Sequence, residues 1–543
     1  MTSTGAQPLL AGCTPWPAEL ARHYRDTGYW QGVSLDELLR RWALRSGDAT
    51  ALVSGPDRIG YAELDRRVDA MAAGLLQLGI GARDRVVVQL PNTAEFVVLL
   101  FALLRCGAIP VLALPAHRRT EVEHLADLSQ AVGYVIPDTV GGFDYRMLAR
   151  QVQARTPSLR QVLVAGDPGP FTALAEVSGL VDGTALPPVD PADVAVLLVS
   201  GGTTGKPKLI PRTHDDYAYN ARASAQVCGL SAGTVYLVCL PAAHNFPLAC
   251  PGILGTFMVG GTVVMAPAPS AEVAFALLER ERVTVTALVP PLVRLWTEAT
   301  EWDTRDRSSL RLLQVGGAKL DAALAGQVRP RLGCRLQQVF GMAEGLLNYT
   351  RLDDSEELVT TTQGRPLSPD DEVRVVDQAG ADVVDGGIGE LWTRGPYTVR
   401  GYYRVPQYNA TAFTTDGFYR SGDLVRRLPS GHLVVEGRIK DVINRGGENV
   451  PAAELEEHVL AHPAVAQAAV VALPECTLGE LVCAVITVSG PAPTLKELKV
   501  FLADRGLARY KLPDKLVVLD QLPLTAVGKI SKPALVERLR DHN

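Results

Sequence analysis

The sequence has no long hydrophobic run. Its most apolar stretch, near Phe96 to Leu104, stops at Arg105, well short of the ~20 residues that span a bilayer. Met1 to Pro17 places no apolar core behind a basic start, so no secretory leader is expected. Lys and Arg never form a block, and the net charge is −6. The clustered phosphate neutralisation on which nucleic-acid binding rests therefore has no counterpart, and neither a nucleic acid nor a membrane is an expected partner. Eight cysteines lie far apart, at Cys13, Cys106, Cys228, Cys239, Cys250, Cys334, Cys476 and Cys483. None forms a C-x-x-C pair and none joins His at zinc spacing. Reduced, mostly buried thiols in a cytoplasmic protein are the expectation. Low-complexity tracts and repeats at solenoid periods are also missing.

What is present is the balance of a globular protein, with 47% hydrophobic and 21% charged residues. At 543 residues the chain exceeds one ordinary core, so two or more domains are expected. Ser34 to Ser46 reads as an amphipathic helix, with Leu35, Leu38, Leu39 and Trp42 on one face behind a Ser cap. Tyr61 to Leu78 repeats the pattern, and Thr93 to Cys106 reads as a further helix. Arg85 to Leu90, Ile109 to Leu112, Val194 to Val199, Val235 to Leu240, Val263 to Ala266, Val285 to Val289 and Leu312 to Val315 read as buried strands. Such alternation predicts an α/β architecture, sheets with helices on their faces.

The composition changes after about Tyr403. A short strand from Gly431 to Arg438 leads to a charged loop, a helix over Pro451 to Ala461, strands over Ala466 to Leu473 and Val482 to Val488, and a helix over Thr494 to Arg505. This block of roughly 100 residues is large enough for a small α+β core of its own. A boundary at Gly437 to Asp441 divides the chain into a large domain, 1–438, and a small one, 439–543.

The strongest local signal is the segment Ser200, Gly201, Gly202, Thr203, Thr204, Gly205, Lys206, Pro207, Lys208, directly after the apolar run Ala195 to Val199. Small residues let backbone N–H groups approach phosphate oxygens, hydroxyls add donors and lysine adds charge. A Walker A loop does not fit the spacing, and by itself the segment also suits a glycine-rich turn between strands. Four more stretches follow in order: Phe340-Gly-Met-Ala-Glu344, Tyr419-Arg-Ser-Gly-Asp423-Leu, Gly437-Arg-Ile-Lys-Asp-Val-Ile-Asn-Arg-Gly-Gly-Glu448, and Pro523-Leu-Thr-Ala-Val-Gly-Lys529-Ile.

Together these five motifs resemble those of the ANL adenylating enzymes: acyl-CoA synthetases, peptide-synthetase adenylation domains and luciferases. The resemblance covers essentially the whole chain. It implies the ANL fold, a large multi-subdomain N-terminal domain with a small mobile α+β C-terminal domain, and it implies ATP-dependent acid adenylation. A carboxylate must attack the α-phosphorus of ATP, so negative charge meets negative charge and fixed cations are required. By resemblance Lys529 serves the α-phosphate and the substrate carboxylate, entering the site only in the adenylating conformation. Glu344 would hold Mg²⁺, which takes one or two carboxylates plus phosphates. Asp423 would accept from the ribose hydroxyls, and Arg438 either reaches the ribose or forms an ion pair at the domain boundary. Gly316, Gly317 and Ala318 resemble the stretch along adenine and equally fit a strand-end turn, and Val339 and Phe340 complete the nucleotide set. Lys440 is the implied hinge, swinging Gly446 and Gly447 toward a thiol channel.

The segment Ala243-His-Asn-Phe-Pro-Leu-Ala-Cys-Pro-Gly252 narrows the resemblance. It is similar to the H-N-[YF]-P-L-x-x-P-G motif of stand-alone aryl-acid adenylating enzymes from siderophore pathways. Leu209 to Tyr217 and Tyr24…Gly28-Tyr-Trp30 agree with that subgroup. Asn245 stands where amino-acid-activating relatives would carry an aspartate for the α-amine, and it suits a neutral ring with an ortho hydroxyl. Phe246 would pack on the ring and His244 would shape the pocket mouth. In the family, Ser and Val at the places of Cys250 and Leu347 go with 2,3-dihydroxybenzoate, and Cys and Leu with salicylate. A Cys is a poorer hydrogen-bond partner and Leu fills one more methylene, which leaves little room for a 3-hydroxyl. Salicylate is the expected acid, with 2,3-dihydroxybenzoate and 3-hydroxypicolinate as alternatives. No carrier-type G-G-[DH]-S-L segment occurs in the chain, so a separate phosphopantetheinylated aryl carrier protein is the expected acceptor. An aryl-CoA ligase of the same fold is the competing enzyme. A non-catalytic nucleotide sensor is disfavoured because Lys529, Glu344 and Asp423 are all in place.

Overall fold

The computed structural model describes residues 9–179, 186–200, 207–445, 448–475, 479–505, 507, 509–525 and 528–540. The chain forms two compact units. The first comprises Met1–Thr360, Gly364–Glu372 and Thr393–Tyr419; the second comprises Thr361–Gln363, Val373–Trp392 and Arg420–Asn543.

Two large sheets build the first unit. The nine-stranded sheet runs in the order Arg365–Pro366, Gly345–Tyr349, Arg335–Met342, Leu312–Gly316, Val285–Leu288, Val235–Val238, Thr262–Met265, Thr50–Ser54, Asp57–Gly60. Its middle is parallel, and its strands are short Val- and Leu-rich runs buried on both faces, as parallel sheets require. The seven-stranded sheet runs Leu209–Thr213, Val194–Val199, Ile109–Leu112, Arg85–Val88, Gly133–Pro137, Gln161–Ala165, Thr172–Ala173. Helix Ala94–Arg105 touches strands of both sheets, Ile109–Leu112 and Thr50–Ser54, and also packs on helices Leu35–Ser46 and Tyr61–Gln77. Contact on every side explains why it is apolar all round rather than amphipathic. It ends at Arg105, which is only 1% exposed yet pairs with Asp65 (2.6 Å) and Asp69 (2.7 Å). A buried guanidinium survives there because its charge is matched.

The second unit holds two smaller sheets. One has the order Glu372–Val376, Ile388–Arg394, Tyr419–Arg427, Leu433–Arg438. The other pairs Glu448–Pro451, Val442–Arg445, Gly479–Val488 and Val465–Glu475, with Lys515–Val518 added in parallel to Gly479–Val488. Period-two alternation sorts the long strand Val465–Glu475 between two cores. Ala468 and Val470 face helices Ala452–Leu460 and Leu495–Asp504, whereas Ala469 and Val471 face helix Lys532–Arg540. The segment Gly437 to Asp441 lies inside this unit and joins its two sheets through a single 3-10 turn, Ile439–Asp441. Among the described residues no helix is long and apolar enough to cross a membrane.

Candidate active site

The phosphate-loop candidate sits where strand Val194–Val199 turns back into antiparallel Leu209–Thr213. Gly201, Gly202, Thr203, Thr204 and Gly205 lie outside the described residues. Its two ends are joined by a pair of bonds: Ser200 N–H donates to the Lys208 carbonyl and Lys208 N–H to Ser200 Oγ, each at 2.9 Å. The Lys208 ammonium lies 3.9 Å from the Tyr408 ring centroid and 5.9 Å from that of Tyr402. Burial lowers its pKa, while the Glu344 carboxylate raises it. An aromatic cradle holds such a cation in place without neutralising it.

Glu344 occupies the turn of the hairpin formed by strands Arg335–Met342 and Gly345–Tyr349. Its side chain is buried, and Oε1 accepts from the Tyr402 hydroxyl at 2.7 Å, with the Tyr419 hydroxyl 3.0 Å beyond. Among the described residues no cluster of three or more His, Cys, Asp or Glu side chains could hold a metal alone. A single buried carboxylate beside Lys208 nevertheless fits Mg²⁺ that arrives with ATP, since phosphates and water supply its remaining ligands.

The ring side of the site is built on two elements. Asn245–Ala249 is a short helix whose N-terminus is capped by His244 Nδ1, which accepts from Phe246 N–H at 3.2 Å. Helix His214–Val227 is buried along most of its length, and Tyr217, Asn220 and Ser224 recur on its inner face at i, i+3 and i+7. Tyr217 Oη donates to Asn245 Oδ1 at 2.9 Å, and Asn245 Nδ2 donates to Cys250 Sγ at 3.4 Å. Asn220 Nδ2 holds the Ala249 carbonyl at 2.7 Å. Burial pushes the Cys250 thiol up to about 12, so it stays protonated and neutral.

Arg212 ties these parts together. It is fully buried, pairs with Asp216 at 2.7 Å, donates to the Ala343 carbonyl at 3.0 Å and lies 4.7 Å over the Tyr217 ring. The residue before Glu344 and the residue behind Asn245 are therefore anchored by one guanidinium. Removing either member of such a pair strands a buried charge, at a cost of about 3–5 kcal/mol.

Two glycines are needed for close approach. A β-carbon at Gly316 would lie 3.1 Å from the Phe246 ring and 2.7 Å from the Val339 carbonyl. One at Gly341 would meet Leu347 Cδ2 at 2.5 Å. Phe246, Gly316 and Val339 thus meet in one place, and Leu347 lies over Gly341. Gly317 and Ala318 are exposed beyond the strand end, Phe340 is half-buried, and its carbonyl accepts from Asn348 Nδ2 at 3.1 Å.

In the second unit Asp423 and Arg438 are cross-strand neighbours, with Arg438 Nε 2.7 Å from Asp423 Oδ1. The structure thus gives Arg438 the ion pair of its two sequence readings. Burial raises the Asp423 carboxyl, and the charges of Arg438, Lys529 and Lys440 oppose that shift. Lys529 therefore comes near Asp423. It ends a tight loop in which Thr525 N–H donates to the Lys529 carbonyl at 2.6 Å and Lys529 N–H to Thr525 Oγ at 3.1 Å. Lys440 is the middle residue of the 3-10 turn between the two sheets. Gly446 and Gly447 lie outside the described residues. Of the described thiols only Cys13 is not fully buried; Cys476 is not among them.

The sequence reading missed Arg212, Tyr217 and Asn220 as site residues, and Tyr402 and Tyr408 with them. Polar side chains at i, i+3 and i+7 in a helix otherwise rich in alanine were the available signal for Tyr217 and Asn220, whereas Arg212 lies on the strand before it. Tyr402 comes from irregular chain and Tyr408 from the short helix Pro406–Ala412, and neither has a period to mark it.

Two α/β sheets, the buried Glu344 beside Lys208 and the Phe246–Gly316–Val339 contact together define the class, an adenylate-forming enzyme with the ANL fold. The AMP-binding enzyme family matches residues 39–403 and the AMP-binding enzyme C-terminal domain matches residues 454–529. The chain belongs to the AMP-binding enzyme family, whose members are ATP-dependent acid–AMP ligases. It is 53% identical to a 2,3-dihydroxybenzoate-AMP ligase of Bacillus subtilis, over 98% of each chain. It is 54% identical to the salicyl-AMP ligase / salicyl-S-ArCP synthetase of Mycobacterium tuberculosis, over 98% of this chain and 95% of that one. Among solved structures, apo MbtA of Mycobacterium smegmatis is 55% identical and superposes with a TM-score of 0.77, covering 97% of this chain and 99% of the other.

Proposed function

We propose that the protein adenylates salicylate and then passes the salicyl group to the phosphopantetheine thiol of a separate aryl carrier protein. In the first step a carboxylate oxygen bonds to the α-phosphorus of ATP, the bond to the β-phosphate breaks, and pyrophosphate leaves. In the second the thiolate attacks the acyl carbon and AMP departs. The observation that carries the reading is the Tyr217–Asn245–Cys250 line beside Phe246. With its carbonyl oxygen engaged by Tyr217, Asn245 turns its amide N–H₂ toward Cys250 and the ring space. That donor suits an ortho hydroxyl oxygen and offers nothing to an ammonium group. The protonated Cys250 thiol and the Leu347 side chain supply an apolar corner at the 3-position.

For the nucleotide, Asp423, paired with Arg438, would take the ribose hydroxyls. Lys208 and the phosphate-loop donors would hold the β- and γ-phosphates, and Gly316 with Val339 would admit the adenine face. Lys529 would neutralise the charge that builds between carboxylate and α-phosphate. Glu344, oriented by Tyr402, would hold Mg²⁺, which when bound supplies further charge neutralisation at the phosphates. The large domain at 1–438 and the mobile domain at 439–543 would pivot at Lys440 between the two steps.

Acid-dependent ATP–pyrophosphate exchange across salicylate, 2,3-dihydroxybenzoate, 3-hydroxypicolinate, benzoate and several amino acids tests this directly. Exchange is expected to be strongest with salicylate. A stronger response to another aryl acid overturns the choice of acid, and exchange with amino acids alone overturns the aryl pocket. Offering coenzyme A beside a carrier protein separates the aryl-CoA ligase alternative by which acceptor is loaded.

A further inference from the structure

The Asn245 side of the ring pocket is held by a buried helix, but its opposite wall hangs on an unusual piece of chain. Glu344, Gly345, Leu346 and Leu347 make the turn and first residues of the hairpin strand. Leu346 is fully buried with φ +52°, and Gly345 has φ +127°. A leucine in the left-handed region persists only where its surroundings over-determine the backbone. Those surroundings are visible. Leu347 N–H donates to Tyr397 Oη at 3.1 Å, and the Leu347 carbonyl accepts from Leu367 N–H at 2.8 Å. Tyr397, itself wholly buried, donates its proton to Asp371 Oδ2 at 2.5 Å.

Asp371 is held in turn. Its Oδ2 also accepts from Ser368 N–H at 2.9 Å, while Oδ1 is sealed from solvent without a hydrogen-bond partner. Burial pushes the Asp371 carboxyl up to about 7. A carboxylate that forgoes solvent for a tyrosine hydroxyl and one amide makes that hydroxyl a firm acceptor for the next donor in line. The N-terminal segment completes the brace from outside. Tyr29 Oη donates to Asp370 Oδ1 at 3.2 Å, Trp30 Nε1 donates to the Pro396 carbonyl at 2.8 Å, and Tyr219 Oη donates to Ser368 Oγ at 2.7 Å. Asp370 and Pro396, next to Asp371 and Tyr397, are thus pinned by Tyr29 and Trp30, and Ser368 by Tyr219 of helix His214–Val227.

We propose that Tyr397 and Asp371 are positioning residues for the acid site: through the Leu347 main chain they set the depth at which Leu347 meets the substrate ring. Neither touches substrate. Their effect reaches chemistry through Leu347, so the inference rests on the reading of Leu347 as a wall of the ring pocket. Losing the Tyr397 hydroxyl removes the acceptor of Leu347 N–H and leaves Asp371 Oδ2 with the Ser368 N–H in place of two donors. Relaxation is then expected at the strained turn, not at the nucleotide side.

The test is steady-state pyrophosphate exchange on the full-length protein with Tyr397→Phe, Asp371→Asn and Leu347→Ala. Tyr397→Phe is expected to raise the KM for the aryl acid about tenfold, the worth of one buried hydrogen bond to a charged network. The KM for ATP is expected to stay within about twofold, because the lost bond bears on Leu347 and not on the nucleotide contacts. Asp371→Asn keeps an acceptor for Tyr397 and is expected to show a smaller rise in the same constant. If instead Tyr397→Phe lowers kcat alone, with both KM values unchanged, only the folded fraction has fallen and the inference is overturned. Leu347→Ala separates the two layers. Should it raise the acid KM while Tyr397→Phe does not, the brace is wrong and the pocket stands; should it leave the acid KM unchanged, the pocket assignment fails and takes the brace with it.

Discussion

The proposed function makes Cys250, a neutral thiol on the Asn245 segment, and Leu347, a branched side chain over Gly341, the two walls of the ring's 3-position. Replacing both by the smaller, more polar pair, Cys250→Ser with Leu347→Val, opens that corner and adds a hydroxyl. The ratio of kcat/KM for 2,3-dihydroxybenzoate to that for salicylate is expected to rise about tenfold, since one methylene and one hydrogen bond are worth ~1–3 kcal/mol of discrimination. Competition kinetics with the two acids measures it. An unchanged ratio would mean that the 3-position does not point at these residues. At this scale the sequence was legible only where a motif named the residue. Asn245, Phe246 and Glu344 could be picked from the chain because they sit in compact, recognisable segments. Tyr402, which orients Glu344, comes 58 residues later, and a lone tyrosine in irregular chain announces no partner.

Elements were far more legible than contacts. Ile109–Leu112 and Val194–Val199 appear where the apolar runs put them, and helices Leu35–Ser46 and Leu495–Asp504 follow their periodic faces to within a residue or two. Buried parallel strands and amphipathic helices write their environment into composition, so the reading succeeds. The Asn245 segment was harder. A stretch holding Pro247 and Pro251 reads as a turn, but its first residues form a helical turn capped by His244, a choice set by tertiary packing against helix His214–Val227. The 3-10 turn Ile439–Asp441 carries the dynamic claim at this scale. Lys440→Pro fixes φ at the middle of that turn. Thioester formation is expected to fall at least tenfold while pyrophosphate exchange changes less than about threefold. Single-turnover assays with salicylate and carrier protein separate the steps; equal losses would remove Lys440 as the pivot.

Across the molecule, the residues assigned to chemistry are divided between the two compact units. Lys208, Asn245 and Glu344 belong to the first; Asp423, Arg438, Lys440 and Lys529 belong to the second. A division of that kind suits an enzyme that must perform two reactions with one nucleotide site. Lys529→Ala is expected to lower adenylation by about a hundredfold or more, the scale of losing one charge aimed at a transition state. Transfer from supplied salicyl-AMP to the carrier should be within about threefold of the parent, because the proposed role puts Lys529 in the site only for the adenylation step. Comparable loss in both reactions would assign Lys529 a structural duty instead.

The contact between Phe246 and Gly316 has a consequence for the order of events. The ring that would stack on the aryl acid rests on the strand end that would flank the base, so close that a β-carbon at Gly316 would come within 3.1 Å of it. Two ligands separated by one shared partition do not bind independently. By reciprocity, whatever factor salicylate contributes to the affinity for ATP, ATP must return to salicylate. On the proposed assignment Phe246 is the shared partition, and the affinity for either substrate is expected to change by one and the same factor when the other is bound.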